Sequence, residues 1–205
     1  MDREKIRQKF GRYYLADRYT YIMGIDKRFT MHLARRFNGY RVLETCTGGG
    51  FSTISLARYA AKVCCVEIDP DRMATAKTNM EIAEVSDNID FFQRDIMDPD
   101  IWESLPEFNA AFLDPDWAVS GDSHEFKFID SNTEPPSDHL FDLIFSKTFN
   151  LTLVQPPFIN ISEYRKLPPH ECEFLYFGKH HALTCLHFGE MMRQSGHTRY
   201  SISVD

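Results

Sequence analysis

Apolar residues recur along this chain with two different spacings, and the order of the spacings predicts the fold. Over residues 2–36 they fall at helical intervals, as in the pairs Ile6–Phe10 and Phe29–Leu33, so this segment is predicted to be mostly helical. A turn sequence at 38–40 ends it. Beyond it, short apolar runs typical of strands alternate with helix-length segments. The predicted strands are 41–46, 62–68, 89–95, 108–114, 150–155, 172–178 and 181–189, and the predicted helices are 52–60, 69–85, 137–149 and 161–167.

Two of the predicted helices carry recognisable start signals. Ser52 is placed to cap the N-terminus of the helix at 52–60. Asp69 opens the next helix, with Pro70 at its first position, where the missing N–H of proline costs nothing.

Alternating strands and helices predict an α/β fold. We expect a doubly wound, Rossmann-like, seven-stranded and mostly parallel sheet, in which the last two strands form an antiparallel hairpin at the edge. Residues 1–38 are predicted to be an N-terminal helical extension, and residues 39–205 the main domain. Residues 115–137 are the longest irregular stretch, and a loop of that length is usually functional or disordered.

Charge is distributed unevenly along the chain, whose net charge is -7. Residues 1–41 hold 11 basic and 4 acidic side chains, whereas the remainder holds 12 basic and 26 acidic ones. A basic, aromatic extension on an acidic body fits contact with a phosphate-bearing partner, and it equally fits a charged helix lying on that body. The acidic body argues against non-specific coating of nucleic acid.

The cysteines and histidines bear on the redox state of the compartment and on metal binding. The five cysteines are odd in number and form no CxxC pair, which favours free thiols in a reducing compartment, although Cys172 and Cys185 could meet across the hairpin. The C-terminal histidines lack the spacing of a zinc site, so no metal is expected. No apolar run approaches the roughly 18 residues of a membrane helix, and the charged first residues do not resemble a secretory signal. We therefore expect a cytoplasmic protein without a membrane partner.

A glycine-rich turn, "LETCTGGGFST" at 43–53, follows the first predicted strand and opens a helix. Gly48 and Gly50 allow a tight turn and a close approach of the backbone to a ligand. A dinucleotide-binding fingerprint would need glycine at Thr53, and a P-loop would need Gly-Lys-Ser/Thr, so phosphate cradling is poorly supported.

Acidic residues stand at the ends of the first three predicted strands: Glu44, Glu67 and Asp95. Glu44 can accept hydrogen bonds from a cationic amine, and Glu67, 19 residues after Gly48, can accept from ribose hydroxyls. Asp95 can accept from an adenine amine, with Ile68 and Ile96 on either side of the base. A lone strand-end acid is more often a cap or a solvated turn residue. Three strand-end acids in chain order, with a glycine turn after the first of them, indicate S-adenosylmethionine as the ligand.

The motif order E-x-x-x-G-x-G, E-x-D-P, R-D and D-P-x-W resembles the class I S-adenosylmethionine-dependent methyltransferases. It is most similar to the trimethylguanosine synthase family, the RNA cap guanine-N2 methyltransferases, over most of the chain. The resemblance runs through "YLADRYTYIMGID", "ETCTGGGFSTI", "VEIDPDRMATAKTNMEIAEVSDNIDFFQRD" and "LPPHECEFLYFGKHHALTCLHFG". The candidate cofactor-binding residues are Glu44, Thr45, Gly48, Gly50, Ser52, Glu67, Ile68, Asp95, Ile96 and Asp114. The resemblance implies methyl transfer to the exocyclic N2 of guanine in RNA or a cap-like nucleotide.

The acceptor site is expected at "LDPDW", residues 113–117, which end the fourth predicted strand. In a doubly wound order this segment should face the methyl donor. Asp114 and the Pro115 carbonyl are the predicted acceptors for the N–H groups of the amine, and Trp117 the stacking partner of the base. These three are the candidate catalytic residues. Trp117 could instead anchor the loop.

This segment departs from the family pattern S-P-P-W. Asp116 replaces the second proline, and it is either a solvated acid or a group that selects a cationic acceptor or repels phosphate. Ser52 replaces the asparagine that follows the glycines. The candidate substrate-binding residues are Trp117, Asp116, Arg12, Arg18 and Tyr19.

Three other functions compete with this hypothesis. The acidic body and Asp116 also fit a methyltransferase acting on a small-molecule or protein nitrogen. A non-catalytic binding protein could keep the same fold. A dinucleotide oxidoreductase is disfavoured by the missing third glycine and by the Asp-Pro-x-Trp sequence.

Overall fold

The computed structural model describes residues 1–117 and 126–203. The chain divides into two compact units, residues 1–110 and 111–205. Residues 118–125, which belong to the predicted irregular stretch, lie outside the described residues. The predicted boundary between residues 38 and 39 stays a prediction.

Five α-helices and three strands make up the first unit. The helices are α1 (Arg3–Phe10), α2 (Arg18–Met23), α3 (Lys27–Ala34), α4 (Phe51–Leu56) and α5 (Pro70–Ala83), with short 3₁₀ helices at Arg35–Phe37, Ser86–Asn88 and Pro99–Glu103. Four of the five α-helices begin after an aspartate whose carboxylate accepts a backbone N–H of the first turn: Asp2, Asp17, Asp26 and Asp69. Such caps satisfy N–H groups that the helix itself leaves unpaired. The predicted start of α5 at Asp69 and Pro70 is confirmed.

The predicted cap of α4 is wrong. Ser52 lies inside the helix, whose N-cap is Gly50 in the left-handed conformation, with φ of 81°. A Cβ atom at Gly50 would collide with the Met80 side chain of α5 and press on Ala76. Close packing against α5, rather than a capping hydroxyl, therefore decides where α4 begins.

The three strands of this unit are parallel, in the order β3-β2-β1. They are β1 (Arg41–Thr45), β2 (Lys62–Glu67) and β3 (Ile89–Gln93). In this register Thr45 pairs with Val66, and Glu67 with Gln93, so the carboxyl ends of all three strands lie at one edge. The interiors of β1 and β2 are buried, as expected for near-continuous apolar runs in a parallel sheet, whereas β3 is partly exposed.

The second unit contains five strands in the order β4-β5-β7-β6-β8. The elements are β4 (Ala110–Leu113), α6 (Ser137–Phe145), β5 (Leu151–Gln155), β6 (His170–Phe177), β7 (His180–Phe188) and β8 (Gly196–Ile202), with 3₁₀ helices at Ile161–Lys166 and Gly189–Met191. β4 and β5 are parallel, whereas β7 is antiparallel to both β5 and β6. The predicted α/β class, with a mostly parallel central sheet and C-terminal antiparallel strands, is confirmed.

Two details of the predicted sheet are wrong. The described residues form eight strands rather than seven, because β8 pairs in parallel with β6. The predicted hairpin therefore lies inside the sheet, and β8 is its edge strand. The sequence of β8 contains no apolar run, since the strand is largely exposed on alternate residues.

No helix among the described residues combines the length and the apolar character needed to cross a membrane.

Candidate functional site

The glycine turn after β1 is shaped by three residues in the left-handed region. Cys46, Gly48 and Gly50 have φ values of 59°, 56° and 81°. Among the described residues, a Cβ atom at Gly48 would approach just the Cys46 carbonyl oxygen, at 3.9 Å. The space beside Gly48 is therefore open, and a ligand can approach the backbone there.

Glu67 fixes this turn from the end of β2. Its two carboxylate oxygens accept the N–H groups of Gly48 at 2.7 Å and Asp69 at 2.9 Å, and the residue is 4% exposed. A carboxylate has about four acceptor sites, so these two bonds leave acceptor capacity on both oxygens. The structure thus brings Glu67 to the glycine turn, while its role in binding ribose stays a prediction.

Two buried polar residues stand at the end of β1. The Glu44 carboxylate accepts a hydrogen bond from the Thr53 hydroxyl of α4, and Glu44 is 1% exposed. The Thr45 hydroxyl oxygen is buried and has no hydrogen-bond partner among residues 1–117 and 126–203. Because an unsatisfied buried polar group costs about 1–3 kcal/mol, a ligand atom that paired with this hydroxyl would be favoured.

The predicted adenine contacts differ in accessibility. Ile68 is 61% exposed and presents an open apolar surface directly after β2. Ile96 is buried, so it offers little surface to a base. Asp95 is exposed, and its Oδ1 accepts the Met97 N–H at 2.9 Å.

These features fit an adenosyl-amino-acid cofactor. The turn is open at Gly48, the Thr45 hydroxyl is unpaired within the described structure, and Glu67 keeps acceptor capacity beside the turn. Ile68 adds an exposed apolar surface.

Sequence reasoning missed Asn79, which is completely buried in α5. Its Oδ1 accepts the Leu15 N–H at 2.7 Å, and its Nδ2 donates to the Leu15 carbonyl and to the Gly49 carbonyl, both at 2.9 Å. The signal for this role was a polar residue on the helix face that carries Ala76 and Met80, the residues against which Gly50 packs.

The predicted substrate residues of the extension are divided between two environments. Arg12 donates to the Ile82 carbonyl of α5 at 2.5 Å, and the Arg72 guanidinium lies over the Tyr19 ring at 4.3 Å. Arg18 is exposed at the first position of α2. Arg12 and Tyr19 thus help to hold the extension on α5.

In the second unit, the acceptor segment follows β4 directly. Asp114 and Trp117 are partly exposed, and Pro115 is buried. Desolvation raises the pKa of Asp114 to about 7. The carboxyl group therefore changes between its protonated and its charged form near neutral pH.

Asp116 is held by its backbone. Its N–H donates to the Glu134 carbonyl and its carbonyl accepts the Glu134 N–H, each at 2.9 Å, in an isolated antiparallel bridge. A proline at position 116 would lack the donor of the first bond. The departure from the S-P-P-W pattern thus supplies a hydrogen bond that the family pattern cannot make.

A polar network supports the segment around Glu134, which pairs with Asp116. The Thr133 hydroxyl donates to the Pro135 carbonyl at 2.8 Å and bonds with the Ser137 hydroxyl at 2.8 Å. The Gln155 side chain, at the end of β5, donates to the Ser137 hydroxyl at 3.0 Å. The acceptor segment is therefore tied through Glu134 to α6 and β5.

We expect Asp116→Pro to lower the free energy of unfolding by about 1 kcal/mol, because one backbone hydrogen bond is lost. Asp116→Asn keeps both backbone bonds and is expected to cost less. Denaturant unfolding of both variants measures the difference. An Asp116→Pro variant as stable as the wild type would show that the bridge contributes nothing.

Trp117 combines a partly exposed side chain with a buried indole nitrogen. No hydrogen-bond partner for Nε1 exists among the described residues. Buried tryptophan N–H groups usually find one, so this donor is available to a ligand.

Within the described ranges, no group of three or more histidine, cysteine or acidic residues could hold a metal ion. None of the five cysteines, all of which lie in the described ranges, forms a disulfide bond.

Residues 39–158 match the protein family described as RNA cap guanine-N2 methyltransferase, and this is more than half of the chain. The chain belongs to the RNA cap guanine-N2 methyltransferase family. It is thus a member of the S-adenosylmethionine-dependent methyltransferases, and S-adenosylmethionine is the cofactor that the glycine turn fits.

A relative supports this membership, at a low sequence identity. The trimethylguanosine synthase of Schizosaccharomyces pombe is 27% identical over 159 residues, which cover 70% of this chain and 64% of that protein. The chain therefore spans less than two thirds of this relative's length.

Solved structures share the fold. A methyltransferase from Porphyromonas gingivalis matches with a TM-score of 0.72 at 13% identity, covering 94% of this chain and 48% of that chain. A 16S rRNA N2 methyltransferase from T. thermophilus, in complex with AdoMet and guanosine, matches with a TM-score of 0.53 at 17% identity, covering 85% of this chain and 44% of that chain.

Proposed function

We propose that this chain methylates the exocyclic N2 of a guanine in RNA or in a cap-like nucleotide, using S-adenosylmethionine. The family match carries this proposal, because it spans the glycine turn, Glu67 and the acceptor segment together. The five cysteines, none of which forms a disulfide in the described structure, suit a reducing compartment such as the cytoplasm.

The first unit would hold the cofactor. Glu67 would bind the ribose hydroxyls with its remaining acceptor capacity, Thr45 would pair with a polar atom of the ligand, and Ile68 would cover the base. Glu44, whose carboxylate accepts a hydrogen bond from the Thr53 hydroxyl, would place a negative charge near the amino-acid part of the cofactor. When bound, the cofactor supplies an electrophilic methyl group on a sulfonium.

The acceptor segment would orient the guanine amine. The lone pair of this amine is delocalised into the ring, so it is a poor nucleophile and depends on positioning. Fixing two reactants in a productive geometry can be worth roughly 7–11 kcal/mol. Asp114 Oδ and the Pro115 carbonyl would each accept an N–H of the amine. With its pKa of about 7, the Asp114 carboxylate can also take the proton that the amine releases.

Trp117→Ala is expected to lower kcat/KM for a capped guanine dinucleotide by roughly 10- to 100-fold, because base–aromatic stacking is worth about 1–3 kcal/mol. The other tryptophan, Trp102, lies in the 3₁₀ helix at Pro99–Glu103 and provides the matched control. Trp102→Ala should leave kcat/KM close to the wild-type value, because Trp102 lies outside the acceptor segment.

Fluorescence separates stacking from loop anchoring. In a Trp102→Phe variant, Trp117 is the only tryptophan, because the chain has two, and its emission can be excited selectively at wavelengths that tyrosine does not absorb. Titration with the capped dinucleotide should quench its emission. Unchanged emission at saturating substrate would assign Trp117 to loop anchoring.

A substrate panel tests the function itself. Purified protein with radiolabelled S-adenosylmethionine is offered capped dinucleotides, bulk RNA and a pool of small metabolites. We expect label in the guanine-containing RNA or cap fractions. Label confined to metabolites or to protein would instead support a small-molecule or protein nitrogen as acceptor, and the absence of any transfer would support a non-catalytic binding protein.

A further inference from the structure

Asn79 connects two segments that have no regular structure of their own. Leu15 lies in the irregular stretch between α1 and α2, and Gly49 lies in the glycine turn. Asn79 bonds both backbone groups of Leu15, as a neighbouring strand would, and it bonds the Gly49 carbonyl with the same side-chain amide. One buried side chain thus serves the extension and the cofactor turn together.

Other contacts hold the extension independently of Asn79. The Phe10 ring of α1 stacks on the Phe51 ring of α4, with centroids 3.5 Å apart and planes 2° apart. Arg12 donates to the Ile82 carbonyl. Loss of Asn79 should therefore loosen the segment around Leu15 without unfolding the unit.

The glycine turn is held from two sides. Glu67 accepts the Gly48 N–H from the strand side, and Asn79 donates to the Gly49 carbonyl from the α5 side. Gly50 packs directly against Ala76 and Met80 of the same helix. Any change in the position of the turn that relaxes the Gly49 bond also disturbs the side chain that holds Leu15.

We infer, on the basis of the proposed cofactor site, that Asn79 is a positioning residue that couples docking of the N-terminal extension to cofactor binding. By thermodynamic reciprocity, cofactor that stabilises the turn must then stabilise the docked extension to the same degree. The residue acts through backbone groups and does not touch the reacting atoms.

Binding of S-adenosylhomocysteine, measured by calorimetry on the full chain, tests the first half of this coupling. Asn79→Ala removes the bonds to Leu15 and Gly49 and is expected to raise the Kd about tenfold. Asn79→Asp keeps the acceptor for the Leu15 N–H but places a carboxylate against the Gly49 carbonyl, so its Kd should rise at least as much.

Asn88 provides a matched control in the same unit. Its Nδ2 donates to the carbonyls of Ala57 and Ala60, both at 3.0 Å, so it also bridges two backbone groups. Neither group belongs to the extension or to the glycine turn. Asn88→Ala should lower the melting temperature much as Asn79→Ala does while leaving the Kd within about twofold of the wild type.

Limited trypsin digestion tests the second half. Cleavage after Arg12 and Arg18 reports release of the segment that contains Leu15. In the wild type and in Asn88→Ala, saturating S-adenosylhomocysteine should slow this cleavage several-fold. In Asn79→Ala the cleavage should be faster, and ligand at concentrations that saturate the variant should no longer slow it.

The outcomes separate this inference from the proposed function. If the wild type binds S-adenosylhomocysteine but Asn79→Ala binds equally well, or keeps ligand-dependent protection, the coupling is overturned and the cofactor site stands. If the wild type binds no S-adenosylhomocysteine, the proposed function itself fails, and the coupling fails with it.

Discussion

Replacing Asp114 with asparagine is expected to lower kcat for guanine methylation roughly 10²- to 10³-fold, the effect of losing one group that stabilises a transition state. The amide oxygen still accepts an N–H, but it carries no charge and cannot take the proton that the amine releases. KM should change little, because the interaction strengthens as the amine becomes positive.

The same variant predicts a change in pH dependence. Burial raises the pKa of Asp114 to about 7, so the carboxylate form that accepts the amine becomes populated as pH rises through 7. Wild-type kcat/KM should therefore climb between pH 6 and 8 and then level off, whereas Asp114→Asn should be flat over this range. A wild-type profile that is flat from pH 6 to 8 would contradict the role of Asp114.

Stability should move in the opposite direction to activity. The folded-state pKa lies above the ordinary value of 3.8, so the folded chain binds this proton more tightly than the unfolded chain. The contribution of Asp114 to wild-type stability therefore falls as pH rises from about 4 through 7, and Asp114→Asn abolishes this loss. The variant should melt at a higher temperature than the wild type at pH 8, with a smaller difference at pH 5.

Asp138→Asn serves as the control for this pair of measurements. Asp138 is a carboxylate of α6 in the same unit, and it accepts the Asp130 N–H at 2.9 Å outside the acceptor segment. The Asp138→Asn variant should leave both kcat and the pH profile unchanged.

Glu67→Ala is expected to raise the Kd for S-adenosylhomocysteine at least about a hundredfold. Hydrogen bonds to a charged group contribute roughly 1.5–3 kcal/mol each, and the variant loses the proposed bonds to two ribose hydroxyls. It also releases the Gly48 N–H, so the glycine turn loses its anchor on β2.

Glu171→Ala controls for the loss of a buried carboxylate. Glu171 is 1% exposed in β6 and accepts the Arg193 N–H and the Thr198 hydroxyl, both at 2.7 Å. The Glu171→Ala variant should lower the free energy of unfolding about as much as Glu67→Ala does, without weakening cofactor binding. If Glu67→Ala binds the ligand as tightly as Glu171→Ala does, the ribose role of Glu67 is wrong.

The local signals that the sequence predicted correctly depend on neighbours in the chain. Asp69 and Pro70 start α5 because a cap and a fixed φ act within one turn. Glu67 ends β2, as the pattern predicted. It lies at the glycine turn because β1 and β2 are parallel, and parallel strands place their carboxyl ends at one edge of the sheet.

The features that the sequence did not predict depend on contacts between distant segments. Ser52 looked like a cap, but Met80, nearly thirty residues away, forces Gly50 into that role. The helical pattern marks Asn79 only as a polar residue on an apolar face, and its partners, backbone groups of Leu15 and Gly49, lie far from it in the chain. The hydrogen bond from the Asp116 N–H was not predicted, because its acceptor, the Glu134 carbonyl, lies outside the predicted motif.

Identification of the methylated nucleoside shows which atom of the RNA receives the methyl group. The full chain is incubated with S-adenosylmethionine carrying a deuterated methyl group and with a capped RNA, which is then digested to nucleosides and analysed by mass spectrometry against standards. We expect deuterated methyl on the N2 of guanosine, and at least about a hundredfold less of it when Asp114→Asn replaces the wild type at matched time points. Deuterated methyl on any other atom, with N2 unlabelled, would contradict it.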